Sequence, residues 1–317
     1  MLEVRDLRVA YGGTPAVRGV SFTLEPGRTL GVAGESGCGK STMALGLLRL
    51  LPATAHVSGE VIFKGENLLT ARWARLRAVR WSAASVVFQG AMSALNPVRT
   101  VGEQLCEPIL LHDGTTQKQA RQRAAELMES VGLPPERLRG YPHEFSGGQR
   151  QRIMIAMALA CRPDLIIADE PTTALDVMVQ AQIMDLLSGL VRESGIAVIM
   201  ISHDLSVLAQ LCDTLAIMYG GRIVEQGPAR ELIGDPRHPY TRALAGAFPA
   251  IGDPASRRNP VGLAGDPPRG DLGAGCAFAP RCLDAGEACR TGEVVLWPSG
   301  PARTAACVRV LEGELHA

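Results

Sequence analysis

This sequence has no long apolar run, no excess of either charge and, outside one segment, no clustered cysteine. No apolar stretch approaches the roughly 18 to 20 residues of a membrane helix, and the opening MLEVRDLRVAYGG lacks the apolar core of a secretory leader. Lysine plus arginine and aspartate plus glutamate each number 32, so there is neither a basic field to hold nucleic acid nor an acidic excess to keep the chain unfolded. Internal repeats and low-complexity tracts are absent as well. These absences point to a protein made and kept in the cytosol. Disulfides rarely persist there, so cysteines are read as metal ligands, catalytic groups or buried apolar residues. At 317 residues the chain suffices for one large domain with an appendage or for two modest domains, and either buries an adequate core without staples.

What is present is an alternation of short strand-like and helical runs, the pattern of an α/β domain with a largely parallel sheet. LEVRDLRVA and VRGVSFTL alternate with period two, and RTLGVA (28–33) is a short buried strand ending in a glycine loop. DLIIAD (164–169), IAVIMIS (196–202) and TLAIMY (214–219) are continuous apolar runs, as expected of strands covered on both faces. From about residue 90 to 160 the texture turns helical and polar, most clearly in QKQARQRAAELMESVGL, and predicts a helical subdomain inserted in a core domain spanning 1–230. Residues 231–317 form a C-terminal extension rich in proline and glycine, in which regular structure is not expected. The extension holds Cys276, Cys282, Cys289 and Cys307, whereas Cys38, Cys106, Cys161 and Cys212 are scattered through the core domain.

Three motifs carry chemistry. GESGCGKST (34–42) follows RTLGVA and precedes the helical MALGLLRLL, which is the strand, glycine loop, helix setting of a phosphate-binding loop. Gly34, Gly37 and Gly39 permit the turns that aim successive amides at phosphates, Lys40 reaches the β- and γ-phosphates, and the Ser41 hydroxyl coordinates magnesium. LIIADE (165–170) ends an apolar strand in two carboxylates, Asp169 for the magnesium shell and Glu170 to polarise a water. FSGGQRQRIMIAMALA (145–160) offers a second anion site, because Ser146 caps a helix whose first amides belong to Gly147 and Gly148. Singly, strand-end acids are more often solvated and a capped helix is ordinary; together with the phosphate loop they read as one nucleotide-handling set.

In this order the motifs resemble one family, the ATP-binding subunits of ABC transporters. By that resemblance GESGCGKST is the Walker A motif, LIIADE is Walker B, SGGQR (146–150) is the signature, ALD (174–176) is the D-loop with Asp176, and SHD (202–204) carries the switch histidine His203. The resemblance implies that Tyr11 stacks on adenine and that ATP is held by Gly34, Ser36, Gly37, Gly39, Lys40, Ser41, Thr42 and Gln89. Magnesium falls to Ser41, Gln89 and Asp169, and catalysis to Glu170, His203 and Lys40. Two such domains are implied to pair head to tail, so that Ser146, Gly147, Gly148 and Gln149 complete the partner's nucleotide site. The fold implied is that of a P-loop NTPase of the α/β class, an ABC nucleotide-binding domain with an inserted helical subdomain and a cysteine-containing extension. Two positions depart from the family pattern. Phe145 stands where leucine is usual, and GAMSALNP follows Gln89 where an acidic residue and a proline are common.

RHPYTRAL (237–244) and GCAFAPRC (275–282) are similar to the C-terminal extension of one branch, the importers of dipeptides, oligopeptides and nickel. In that branch the tail cysteines hold a 4Fe–4S cluster, which implies Cys276, Cys282, Cys289 and Cys307 as its ligands here. Spacing alone leaves the metal open. Gaps of five and six residues fit neither the close cysteine pairs of structural zinc nor the common ferredoxin patterns, so cluster, zinc and free thiols all stand.

The expected function is the ATP-hydrolysing subunit that energises a dipeptide or oligopeptide importer, bound peripherally to the cytoplasmic face of the membrane. Its expected partners are a second ATP-binding subunit, two transmembrane permease subunits and an extracytoplasmic solute-binding protein, with no nucleic acid. Nickel or another small solute is the alternative cargo. A soluble ATPase acting on DNA through a zinc tail is a different class, which neutral charge and a single cassette disfavour. A non-hydrolytic scaffold is disfavoured by the complete catalytic series.

Overall fold

The computed structural model describes residues 1–88, 94–171, 177–247, 263, 265–268, 270, 272–292 and 294–311. Gln89, with the GAMS segment that follows it, and Asp176 therefore lie outside the described residues. The strands among them are, in chain order, β1 (Leu2–Tyr11), β2 (Thr14–Leu24), β3 (Thr29–Ala33), β4 (Ala55–Phe63), β5 (Glu66–Asn67), β6 (Ala84–Val87), β7 (Leu165–Asp169), β8 (Ala197–Ile201), β9 (Thr214–Tyr219), β10 (Arg222–Pro228), β11 (Trp297–Gly300) and β12 (Arg303–Ala305). The α-helices are α1 (Lys40–Leu47), α2 (Trp73–Val79), α3 (Val101–His112), α4 (Gln117–Ser130), α5 (Gly147–Ala158), α6 (Val177–Ser194), α7 (Leu205–Leu211), α8 (Ala229–Gly234), α9 (Pro239–Ala247), α10 (Ala288–Thr291) and α11 (Val308–Leu311). Among the described residues no helix is long and apolar enough to cross a membrane. Two compact units are present, one built from Met1–Leu24, Thr29–Thr70 and Met200–Ala317, the other from Glu25–Arg28 and Ala71–Ile199.

The first unit contains a four-stranded antiparallel sheet in the order β2-β1-β4-β5. Along β1, Leu2, Val4, Leu7 and Val9 are at most 1% exposed while polar neighbours face out, so one face of that sheet is core. The same unit carries strands in the order β11-β12-β10-β9-β3, of which only the β3–β9 pair is parallel. The parallel β3–β9 pair matches the sheet expected from sequence, whereas the antiparallel strands β10, β12 and β11 were not expected. Apolar runs identify buried parallel strands well, whereas β4 and β10 are half-buried and carry polar residues that mask their period.

In the second unit the strands run β8-β7-β6, with β6 and β7 parallel and β7 and β8 wholly buried. The inserted helices start where the sequence supplies capping boxes: Thr100 with Glu103 opens α3 and Thr116 with Gln119 opens α4. Along α4 the buried positions are Ala120, Ala124, Leu127 and Met128, an apolar stripe on an otherwise polar helix.

The C-terminal extension is more regular than its composition suggests. After β10 the chain forms α8 and α9, and further on the β11–β12 hairpin adds to the edge of β10. A buried anchor imposes this order. Glu225 of β10 is fully buried and accepts hydrogen bonds from the backbone N–H groups of Arg237 and His238, both at 2.9 Å, and from the Arg303 guanidinium at 3.1 Å. Its three partners come from segments up to 78 residues away, which local proline and glycine counts do not register.

Candidate functional site

The phosphate loop closes β3 and opens α1, and its glycines are required for separate reasons. At Gly34, φ is 156° and a Cβ would lie 2.2 Å from the Met218 carbonyl oxygen, so the loop leaves the strand pressed against β9. Gly39 has φ of 102° as the residue before α1, where a Cβ would lie 2.5 Å from the Ala16 carbonyl oxygen of β2. No side chain caps α1 and its first turn has no acidic residue, so no carboxylate there opposes an anion. Lys40 is 5% exposed and folds over the loop, its Nζ donating to the carbonyls of Gly34 at 2.7 Å and Glu35 at 3.0 Å. Ser36, Gly37, Ser41 and Thr42 complete the same turn. Tyr11 ends β1 at the tip of the β1–β2 hairpin, half-exposed.

His203 belongs to the same unit. The Ser202 N–H donates to the Val32 carbonyl at 3.2 Å, which sets the histidine at the end of β3 where the phosphate loop begins. Asp204 caps α7 by accepting from the N–H groups of Ser206 and Val207, so the SHD segment is a rigid strand-to-helix turn with His203 exposed on it.

In the second unit Asp169 is 5% exposed at the end of β7, and Glu170 follows with φ of 45°. A left-handed glutamate is strained by about 1–2 kcal/mol, and such strain is concentrated at functional positions. Ser146 caps α5: its hydroxyl accepts from the Gln149 N–H at 3.3 Å while the Gln149 side chain accepts from the Ser146 N–H at 3.0 Å. Gly147 and Gly148 supply the first amides of α5, and a Cβ on Gly148 would lie 2.6 Å from Cγ1 of Val179. Phe145, the departure from leucine, is 2% exposed with the Arg137 guanidinium over its ring at 4.2 Å. It fills a buried packing position directly before the capped helix.

The four tail cysteines, Cys276, Cys282, Cys289 and Cys307, line one cavity together with Phe278, Val294 and Trp297. Backbone contacts bring them there: the Cys276 N–H donates to the Cys289 carbonyl at 2.7 Å, and the Ala306 N–H donates to Val224 of β10 at 2.7 Å, one residue before Cys307. Burial holds the thiols of Cys276, Cys282 and Cys307 above the usual thiol range. His238 is buried beside them, with Nδ1 accepting from the Tyr240 N–H at 3.0 Å and Nε2 4.0 Å from the Cys276 sulfur. Burial pushes the His238 pKa down to about 4, so it is neutral and carries its proton on Nε2, facing the sulfur. Among the described residues no group of three or more His, Cys, Asp or Glu side chains is placed to hold a metal ion. A single tetrahedral zinc, with Zn–S bonds of about 2.3 Å, needs its thiolates within about 4 Å of one another.

Sequence reasoning missed the residues that join this cavity to the phosphate loop. Arg281 makes a two-pronged ion pair with Glu35, at 2.6 and 3.0 Å, and the Tyr240 hydroxyl accepts from the Glu35 N–H at 2.9 Å. No local pattern links positions 246 residues apart.

A glycine loop closed over a lysine, with a strand ending in paired acids, defines the class of P-loop ATPases, which bind a nucleoside triphosphate with magnesium. The chain matches the family described as "ABC transporter" over residues 17–173 and that described as "Oligopeptide/dipeptide transporter, C-terminal region" over residues 224–289. It is 44% identical over 319 residues to the "Oligopeptide transport ATP-binding protein OppD" of Salmonella typhimurium, covering 98% of this chain and 94% of that protein. It is 46% identical over 293 residues to the "Dipeptide transport ATP-binding protein DppD" of Bacillus subtilis, covering 89% and 86% respectively. A solved dimer of the ATP-binding cassette MJ0796, in a post-hydrolysis state with ADP and Pi, superposes with a TM-score of 0.64 at 29% identity, covering 73% of this chain and 99% of that one. This chain belongs to the ABC transporter family as one of its ATP-binding proteins, and it is an ATPase.

Proposed function

We propose that this chain hydrolyses ATP to drive an importer of dipeptides or oligopeptides. The single observation that supports the cargo is the match of residues 224–289 to the oligopeptide/dipeptide transporter C-terminal region, joined to the cassette in one chain. In this reading a core domain of 1–230, with a helical subdomain at about 90–160, does the nucleotide work, and 231–317 is the branch-specific extension. The chain sits peripherally on the cytoplasmic face of the membrane, with a second ATP-binding subunit, two permease subunits and an extracytoplasmic solute-binding protein.

The mechanism follows from what each residue can do. Lys40 exchanges its loop carbonyl partners for the β- and γ-phosphate oxygens of ATP, whose adenine stacks on Tyr11. The backbone of Gly34, Ser36, Gly37, Gly39 and Thr42 wraps the phosphates, while Ser41, Gln89 and Asp169 serve magnesium. Glu170, held in its strained conformation, orients and polarises the attacking water. His203 contacts the γ-phosphate, Ser146, Gly147, Gly148 and Gln149 of one subunit close the site of the other, and Asp176 is the D-loop residue. Charge neutralisation in a closed site accounts for most of the rate.

Cys276, Cys282, Cys289 and Cys307 hold a 4Fe–4S cluster in this proposal. Four thiols lining one largely apolar cavity suit its donor set. Bound there, the cluster would supply a covalent staple between Cys276, Cys282, Cys289 and Cys307.

The test is uptake. In cells lacking this chain, loss of labelled dipeptide or tripeptide uptake with nickel uptake unchanged supports the reading. Unchanged peptide uptake beside lost nickel uptake replaces the cargo.

A further inference from the structure

The phosphate loop contains a carboxylate that its chemistry does not need. Glu35 sits between Gly34 and Ser36, in the arc whose amides face the phosphates, and an unpaired carboxylate there would repel the ligand. The C-terminal extension neutralises it. Arg281 donates from Nη1 to Oε2 at 2.6 Å and from Nη2 to Oε1 at 3.0 Å, a forked pair with side chains 6% and 20% exposed. The same guanidinium donates to the Tyr219 hydroxyl at 3.2 Å. The backbone of Glu35 is held as well, since its N–H donates to the hydroxyl of Tyr240, which is fully buried. Tyr219, Tyr240 and Phe278 pack ring against ring at 4.5 to 5.4 Å, which fixes the direction of both tethers.

We infer that Arg281 and Tyr240 are positioning residues for ATP binding: they clamp Glu35 and cancel its charge, so that the extension presets the phosphate loop. Neither touches the reacting atoms. The inference rests on the loop's ATP-binding role and is independent of the cargo and of the tail metal. It also gives the extension a route to the nucleotide site. Arg281 directly precedes Cys282, and Tyr240 lies two residues after His238, so each tether is one or two residues from the cysteine cavity.

The experiment is equilibrium binding of ATP with magnesium to the full-length chain, with steady-state hydrolysis alongside. Arg281→Ala is expected to weaken ATP binding and raise KM by about tenfold, with kcat within about twofold of the parent, because the lost interaction acts on binding and not on the transition state. Arg281→Ala combined with Glu35→Gln removes the stranded charge and is expected to recover more than half of that loss on a logarithmic scale. Arg281→Lys keeps the charge but loses the fork, and is expected to fall between the parent and Arg281→Ala. A merely structural role for Arg281 gives no recovery in the double variant. ATP affinity of Arg281→Ala within twofold of the parent, or a double variant that binds no better than the single one, overturns the inference. Tyr240→Phe deletes only the hydroxyl within unchanged packing and keeps the inference testable if Arg281→Ala does not fold. A weakened affinity at unchanged kcat supports the clamp, and an unchanged affinity overturns it.

Discussion

Replacing Arg303 by methionine is expected to undo the extension while sparing the core. The perturbation strands the carboxylate of Glu225, which is fully buried beside a guanidinium itself only 5% exposed. Glu225 would keep the N–H groups of Arg237 and His238 but lose the 3.1 Å guanidinium bond, and leaving one member of a buried ion pair costs about 3–5 kcal/mol. The second ion pair of Arg303, to Asp235 at 3.6 Å, adds less than about 1 kcal/mol, because Asp235 is 59% exposed. Adding Glu225→Gln removes the charge yet keeps an oxygen for both backbone N–H groups, so the double variant should regain about half of the loss or more. The assay is urea unfolding of the full-length chain, paired with limited proteolysis of the extension, whose β12 pairs with β10. Cleavage in the extension ahead of the main transition is expected. A single-variant loss below about 1 kcal/mol, or a double variant as unstable as the single one, refutes the argument from the buried pair.

Glu170→Gln is expected to bind ATP and form the ATP-driven dimer while hydrolysis falls at least about a hundredfold, and undiminished turnover would remove its role as the general base. Protein purified without oxygen should carry about four irons and four acid-labile sulfides per chain, with the matching visible absorption; zinc alone would replace the cluster with a different site. Cys161 and Cys212 have thiol pKa values pushed up to about 12 by burial, so at pH 8 only about one in ten thousand is thiolate. They should resist alkylation until denaturant is added, and rapid labelling of the native protein would contradict their placement.

The core strands and the chemistry-bearing loops were readable because each is encoded locally. RTLGVA, DLIIAD, IAVIMIS and TLAIMY became β3, β7, β8 and β9, since a strand buried on both faces needs an unbroken apolar run. The capped helices behind Thr100, Thr116 and Ser146 start where a side-chain oxygen meets an amide three residues on. The antiparallel sheet around β1 was not readable in the same way, because β4 is half-buried and its pairing is set by a distant partner. The extension was read as irregular, yet α8, α9 and the β11–β12 hairpin form there around Glu225, through contacts that composition does not record.

By itself the sequence determined the phosphate loop, the acids at the end of β7, the capped glycine helix and the histidine after β8, because spacing along the chain is what those chemistries require. Only the tertiary structure decided that four cysteines separated by irregular gaps share one cavity, and that Arg281 and Tyr240 hold the glutamate inside the phosphate loop. The physical reason is range. A cap, a turn or a buried strand is settled among near neighbours, whereas an ion pair spanning 246 residues exists only once the whole chain has packed.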